Sequence, residues 1–558
     1  MGLKLTFLRN LSIFLASLCA CAATAQEANH NFEVAKQLDI FNSLYRNLDL
    51  YYVDTLSART NVENAINYML SKIDLYTEYY PEDETSELRQ LTTGKYAGIG
   101  AVISYKESED RCIIAEPYEG MPAATAGLLP GDVILSVAGE DIAPCGRTPK
   151  ADYSASVSEK LRGEPGTSFE IKIKRPSSGK VLNLVLTRKT IALPSIALAK
   201  ILSDSIGYIR LEQFTEGSAE ELRRAVVDLK QQGAARLILD LRGNPGGLLD
   251  EAVKAAALFL PRGKEVVRTK GKIKEANHTY LTAENPLDAE MPLVVLIDFS
   301  SASAAEILSG ALQDYDRAVL IGQRTYGKGL VQQSRELPHN GVLKLTSGKY
   351  YIPSGRCVQA YEFKDGLPVH LPDSLAKAFF TAAGRKVYDS GGITPDLITP
   401  VDSLPRLLDY LEASDQVFDY CVEYQSAHKK IAPAESFCLT DEEYREFLTY
   451  IKEHNFTYDR QSLKWLESLR DVARIEGYED EAEEEFNALE QKLRRDEDYD
   501  FLRWEKEIRI IVESQIVNFF YYRKGLEEYL LRFDNEIDKA LDVVRDDEQM
   551  HAILRPQE

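Results

Sequence analysis

Three short segments of the chain carry residue types that can do chemistry. The first, Asp240-Leu241-Arg242-Gly243-Asn244-Pro245-Gly246-Gly247, is rich in glycine, with one proline. Backbone N–H groups in such a stretch can point into a site unobstructed, where they could hold a phosphate or an oxygen gaining negative charge. It lacks the Gly-Lys-Ser/Thr ending of a nucleotide loop, and a bare strand-to-helix turn is the alternative. In the second segment, Ser300 to Glu306, Ser303 with Glu306 three residues on reads as a capping box opening a helix. That place also suits a nucleophile, because free N–H groups and the helix dipole stabilise charge on a reacting oxygen. The third segment sets Lys328 between Gly327 and Gly329, with Gln332 four residues later. An isolated loop lysine is ordinarily solvated, so Lys328 gains weight only from its companions.

These segments need strands that end side by side. Arg236 to Asp240 leads into an apolar helical stretch from Leu248 to Leu260, Leu293 to Ile297 leads to Ala304–Leu312, and Ala318 to Ile321 follows. Continuous apolar strands alternating with helices predict buried parallel strands and crossovers, with ligands beyond the carboxyl ends. Upstream, from about Tyr96 to Arg188, the texture is short alternating strands broken by Gly and Pro. Gly120 to Leu128 predicts a short helix, Leu129-Pro130-Gly131-Asp132 a turn, Val133 to Val137 a strand, and Tyr153 to Leu161 a second helix. This module resembles a PDZ domain, and the stretch from Pro122 to Val137 carries the match. The resemblance implies a binding loop for a peptide's terminal carboxylate at Gly98-Ile99-Gly100-Ala101, with Ala101 where a large apolar residue is usual.

Composition limits the partners. Lys plus Arg total 66 against 88 for Asp plus Glu, a net charge of -22, which argues against nucleic acid. Lys4 and Arg9 precede the apolar stretch Leu11 to Cys19, and Ala23-Thr24-Ala25 offers a cleavage site, so residues 1–25 read as a signal peptide. The expected location is periplasmic or extracellular; a lipid anchor on Cys21 is the weaker alternative. No later stretch predicts a transmembrane span. Cys112, Cys145, Cys357, Cys421 and Cys438 remain, an odd set. Pairing of Cys112 with Cys145, or of Cys421 with Cys438, stands beside burial as free thiols. Without CxxC or HExxH, neither a metal nor another cofactor is expected.

Ser303, Lys328 and Gln332 in this order, with Leu75 to Pro81, Asp240 to Gly247, Lys349 to Arg356 and Gly392 to Asp396, resemble the carboxy-terminal processing peptidases, or tail-specific proteases. The likeness runs from the signal peptide to about Pro400. It implies Ser303 as nucleophile, Lys328 as general base, Gln332 as the residue orienting the lysine, and an oxyanion hole from Gly246 or Gly247 with the Ala304 N–H. Such a lysine must be neutral near neutral pH, well below its ordinary value of about 10.4. Burial away from carboxylates achieves that. Arg162 lies where it could bridge the PDZ module and the core, or simply sit solvated at a helix end.

The expected architecture is an α/β peptidase core with a mixed sheet and crossover helices, an α+β PDZ domain, N-terminal helices and an all-helical C-terminal extension. The boundaries are 26–90 for the N-terminal helical region, 91–190 for the PDZ domain, 191–403 for the core and 404–558 for the extension. In the extension, Thr440-Asp441-Glu442-Glu443 predicts a capping box, and the acidic run Glu476 to Glu485 a solvated face. Dimerisation, docking on the core and holding the substrate entrance are all open roles for it. The expected activity is endoproteolysis near protein C-termini captured by the PDZ module. Competing readings are a non-catalytic PDZ adaptor on a protease-like core, which loss of Ser303 or Lys328 would favour, and a small-ester hydrolase, which leaves the PDZ module without a task.

Overall fold

In the computed structural model, which describes residues 30–85, 88, 92–146, 148–389, 391–400, 404–494 and 497–556, the chain opens with helices α1 (30–51) and α2 (Ala58–Ser71). The expected signal peptide, with Cys19 and Cys21, lies outside the described residues. Of the described residues, those from 30 to 79, with Phe363–Leu367, form one unit, and the others form a second. In the first unit Ser57 caps α2, its hydroxyl accepting the Thr60 N–H, and Tyr76 meets Phe363 edge to face. The apolar side chains of α1 at Val34, Leu38 and Phe41 are exposed.

The second unit begins with β1 (Lys95–Gly98), then β2 (Ala101–Lys106), β3 (Arg111–Pro117), a short helix α3 (Pro122–Thr125), β4 (Val133–Val137), α4 (Lys150–Leu161), β5 (Ser168–Arg175), β6 (Lys180–Thr187) and β7 (Lys189–Ala192). Strands β2-β3-β4-β5-β6 pair in that order, all antiparallel, which leaves β2 as an edge. Tyr153, Val157 and Leu161, four apart on α4, bury one helix face in a core with Ile114, Ile134 and Ile171. α4 starts three residues before its apolar pattern does, because its first turn is exposed and leaves no hydrophobic signal. Strands β1 and β7 pair antiparallel at the two ends of this module.

The central sheet follows: β8 (Ile196–Ile201), β9 (Ile206–Leu211), helix α5 (Ser218–Gln231), β10 (Arg236–Asp240), α6 (Leu249–Ala256), β11 (Glu265–Gly271), β12 (His278–Leu281), β13 (Leu293–Ile297), α7 (Ala304–Asp314), β14 (Val319–Gly322), β15 (Leu330–Glu336), β16 (Val342–Tyr351) and β17 (Leu397–Ile398). Its order is β8-β9-β10-β13-β14-β17, parallel throughout except for β8 against β9. Strands β12-β11-β16-β15 form a second, antiparallel set.

Strands apolar at every position need cover on both faces. On one face Leu237, Leu239, Val295 and Leu320 pack under α5, α6 and α7 through Leu222, Ala252 and Leu308. On the other, Ile238, Val294, Leu296 and Ile321 need a different cover, which comes from the end of the chain. Beyond the core run α8 (Arg406–Glu412), α9 (Asp415–Ala427), α10 (Asp441–Glu453), α11 (Gln461–Glu476), α12 (Glu483–Leu493), α13 (Glu505–Leu530), α14 (Asn535–Arg545) and α15 (Asp547–Ile553). Ile537, Ala540, Val543 and Val544 of α14 cover the second sheet face. Burying each of the branched side chains Ile537, Val543 and Val544 stabilises by roughly 1.5–3 kcal/mol.

Helices α8 to α10 and α13 share their own core around Phe447, Ile508, Val512 and Ile516. The capping box before α10 is present: Thr440 donates its N–H to Glu443 at 2.8 Å, and Glu443 returns its N–H to the Thr440 hydroxyl at 3.2 Å. Acidic side chains between Glu476 and Glu485 are mostly exposed, as a solvated face should be. All five described cysteines are free thiols, three of them buried.

Candidate active site

The three chemically suggestive segments follow β10, β13 and β14, which are parallel neighbours in the central sheet, so they meet at the carboxyl ends of these strands. Backbone and side-chain bonds lace them together. Asp298, just past β13, accepts the N–H groups of Gly243 at 3.0 Å, Ser300 at 3.0 Å and Ser301 at 2.9 Å. The Ser301 hydroxyl donates to the Leu241 carbonyl at 2.8 Å, and the Ala302 N–H donates to the Asn244 carbonyl at 2.9 Å. Tyr326 N–H reaches the Ser301 carbonyl at 3.0 Å and so joins the third segment to the second.

Ser303 is the N-cap of α7, with φ 55° and ψ -111°, a region that costs a non-glycine residue on the order of 1–3 kcal/mol. The surroundings over-determine it. Its N–H donates to Glu306 Oε2 at 2.8 Å, its carbonyl accepts the Ile307 N–H at 2.9 Å, and the Tyr350 hydroxyl donates to that carbonyl at 3.3 Å. Gly246 lies directly against it. A Cβ there would stand 2.7 Å from the Ala302 oxygen and 2.8 Å from both Ala304 N and Ser303 Cβ, and its φ is +98°. Glycine is required at this position on both counts.

Glu306 is the hub of the site. It is fully buried, and its carboxylate takes four donors: Ser303 N–H and Lys328 N–H on Oε2, both at 2.8 Å, and the Thr325 hydroxyl at 2.6 Å and Gly327 N–H at 2.8 Å on Oε1. Since Ser303 N and Lys328 N bond the same oxygen, they are no more than twice that distance apart. Burial pushes the Glu306 carboxyl above the usual range, while these donors pull it back. Sequence reasoning took Glu306 for a cap partner only. The signal that could have found more is a carboxylate at the third position of an otherwise apolar helix start, Ala304-Ala305-Glu306-Ile307-Leu308.

The other expected residues fall as follows. Lys328 is half-buried, in an irregular stretch just before β15. Gln332 lies on β15 opposite Thr346, and its amide donates to the Thr346 hydroxyl at 3.3 Å. The two candidate glycines differ. Gly246 N–H is already committed to Asn244 Oδ1 at 2.8 Å, and the Gly246 carbonyl accepts from Phe214. Gly98 to Ala101 belong to the antiparallel module, where Ile99 is buried and a Cβ on Gly100 would strike Met121 Cβ at 2.4 Å. Arg162 stays beside that loop: its guanidinium lies 5.6 Å from the Tyr96 ring centre, and its Cγ is 3.9 Å from where a Gly98 Cβ would be. Among the described residues no group of His, Cys, Asp and Glu is arranged to hold a metal, and no helix is long and apolar enough to cross a membrane.

Models of known families match three stretches: a PDZ domain over residues 113–175, peptidase family S41 over 205–369, and the C-terminal helical domain of a probable PDZ-protease over 407–544. The loops around Ser303 thus sit in the peptidase match, and the fold and site define a PDZ-bearing serine-type peptidase. A carboxy-terminal-processing protease of Bartonella bacilliformis is 33% identical over 364 residues, covering 64% of this chain and 81% of that one. Carboxy-terminal processing protease CtpA of Bacillus subtilis is 28% identical over 437 residues, covering 78% and 90%. A solved photosystem II D1 C-terminal processing protease is 26% identical and covers 65% and 88%, with a TM-score of 0.36. The chain belongs to the carboxy-terminal processing protease family.

Proposed function

We propose that this protein is an exported endopeptidase that captures protein C-termini at Gly98–Ala101 and cleaves peptide bonds near the tail with Ser303 and Lys328. The observation that carries this is the shared Glu306 oxygen, which fixes the backbones of both residues in one small space. In the reaction Ser303 Oγ attacks the scissile carbonyl carbon while Lys328 Nζ takes its proton. The ammonium then returns that proton to the leaving amine, and water repeats the cycle on the acyl-enzyme. Gln332, on the strand that Lys328 enters, would orient the lysine.

For the oxyanion, the N–H groups of Gly247 and Ala304 suit better than that of Gly246, which Asn244 already occupies. Ala304 is the first residue of α7, where the helix leaves its N–H without an intrahelical acceptor. Capture of a tail is supported by β2 being an edge strand that begins at the glycine loop, so a peptide can add beside it as a further strand. Export rests on the amino-terminal signal pattern.

The test is cleavage of an unfolded substrate by the full chain beside Ser303→Ala and Lys328→Ala. Each variant is expected to lose at least about a thousandfold in kcat, the scale on which nucleophile and base act together. Undiminished cleavage by either would refute the dyad. Amidating the substrate's C-terminus should weaken its binding, and equal affinity would refute capture at the glycine loop.

A further inference from the structure

Helix α14 does more than cover the sheet: its first turn grips the residue that opens the Gly243–Gly247 loop. All five N–H donors of the Arg242 guanidinium are engaged. Nε bonds Asp240 Oδ1 at 3.0 Å, Nη2 bonds Asp240 Oδ2 at 2.6 Å and Asp534 Oδ2 at 2.7 Å, and Nη1 bonds Asp534 Oδ1 at 3.0 Å and Glu536 Oε2 at 2.8 Å. Asp534 is at the same time the N-cap of α14, accepting the N–H groups of Glu536 at 3.0 Å and Ile537 at 3.1 Å. Asp240 is fully buried and also takes the Tyr208 hydroxyl at 2.8 Å and the Arg242 N–H at 2.9 Å. Burial pushes the Asp240 carboxyl up, yet Arg242 and Arg210 hold it below its usual range.

Two residues on, the loop is locked to Ser303. Asn244 is buried, and its amide donates to the Leu211 carbonyl at 2.8 Å while Oδ1 accepts the Gly246 N–H at 2.8 Å. Its carbonyl takes the Ala302 N–H at 2.9 Å, one residue before the nucleophile. A fork held by a carboxylate on each side cannot shift without leaving buried charge unpaired. The path from the first turn of α14 through Arg242 and Asn244 to Gly246 and Ala302 therefore moves as a body or not at all.

We infer that Asp534 and Glu536 are positioning residues: through Arg242 they set the Gly246–Gly247 loop for transition-state binding, so the peptidase site is complete only when the C-terminal helix is docked. This rests on the proposed oxyanion role of that loop. Neither carboxylate touches substrate, so the effect should fall on kcat and leave capture of the tail unchanged.

The decisive experiment uses the full chain carrying Asp534→Asn with Glu536→Gln, which keeps the apolar contacts of α14. The expected result is a fall in kcat of about ten- to a hundredfold, the cost of a small misplacement at a reacting centre, with KM for a tail peptide within about twofold. Labelling of Ser303 by a fluorophosphonate should slow in parallel. A variant that unfolds earlier in denaturant yet keeps wild-type kcat would overturn the inference, since the carboxylates would then only staple the helix. Should the double variant not fold, Glu536→Ala alone removes one of the five bonds and is expected to lower kcat about two- to fivefold. Unchanged kcat there overturns the inference as well. Gly247→Ala separates the two layers of argument: if it keeps full activity, the oxyanion reading fails; if it loses kcat while the α14 variants do not, only the positioning role fails.

Discussion

Two charged side chains hold the loops around Ser303, one from inside the peptidase core and one by way of the end of the chain. Glu306 gathers donors from Ser303, Thr325, Gly327 and Lys328, all within 22 positions of itself. Arg242 gathers acceptors from Asp240 next door and from Asp534 and Glu536, 292 and 294 positions away. The first hub needs only β13, α7, β14 and the loops after them. The second needs the helical extension against the sheet as well. The geometry around Ser303 thus rests on contacts close in sequence, whereas the neighbouring glycine loop rests on contacts from far along the chain.

The sharpest way to break this comparison is Glu306→Gln. Whichever way the new amide is turned, its NH2 faces backbone N–H groups that need an acceptor: those of Ser303 and Lys328 on one side, that of Gly327 on the other. Each buried donor left unpaired costs roughly 1–3 kcal/mol. The expected outcome is a loss of at least about a hundredfold in kcat, together with a lower denaturant midpoint. Activity within threefold of wild type would mean that the four bonds to Glu306 do not set the site.

The same contrast explains what could be read from sequence. The strands Arg236 to Asp240 and Leu293 to Ile297 were legible because unbroken apolar runs have few other homes, and the helix after Ser303 because its capping box is local. The cover for Ile238 and Val294 was not legible. Ile537, Ala540 and Val544 show a helical period that any packed helix would show, and nothing in that period names the sheet they meet. Glu306 was visible as a cap, but its links to Thr325 and Gly327 depend on β14 lying beside β13, which spacing alone does not reveal. Helix α6 ends at Ala256, short of the expected Leu260, because Leu258, Phe259 and Leu260 are buried in turns that continue the apolar pattern without the helix.

An intermediate effect tests the distant side of the comparison without touching a charge. Ile537 is 3% exposed and packs on the sheet face opposite α7. Ile537→Ala should cost about 2–5 kcal/mol in equilibrium unfolding, as large-to-small core changes do. At temperatures where the variant remains folded, kcat should fall as well, because the same helix carries Asp534 and Glu536. Full stability would mean that α14 is a loosely held cover.

The smallest effect is expected at Thr325, on the local side. Its hydroxyl is a relay: it donates to Glu306 Oε1 at 2.6 Å and accepts the Ile393 N–H at 2.6 Å. Thr325→Val keeps the shape and removes both bonds, leaving the Ile393 N–H unpaired in a buried site. Stability should drop by about 1–3 kcal/mol. The effect on kcat should be no more than about fivefold, because Ser303, Gly327 and Lys328 still bond Glu306, and a site tied at several points tolerates the loss of one tie better than a fork whose only distant anchors are two carboxylates. A loss as large as that of Glu306→Gln would show that the hub depends on the hydroxyl rather than on the backbone donors. The local loops would then be as easily undone as the Arg242 clamp, and the division between a robust inner hub and a distant outer one would fall.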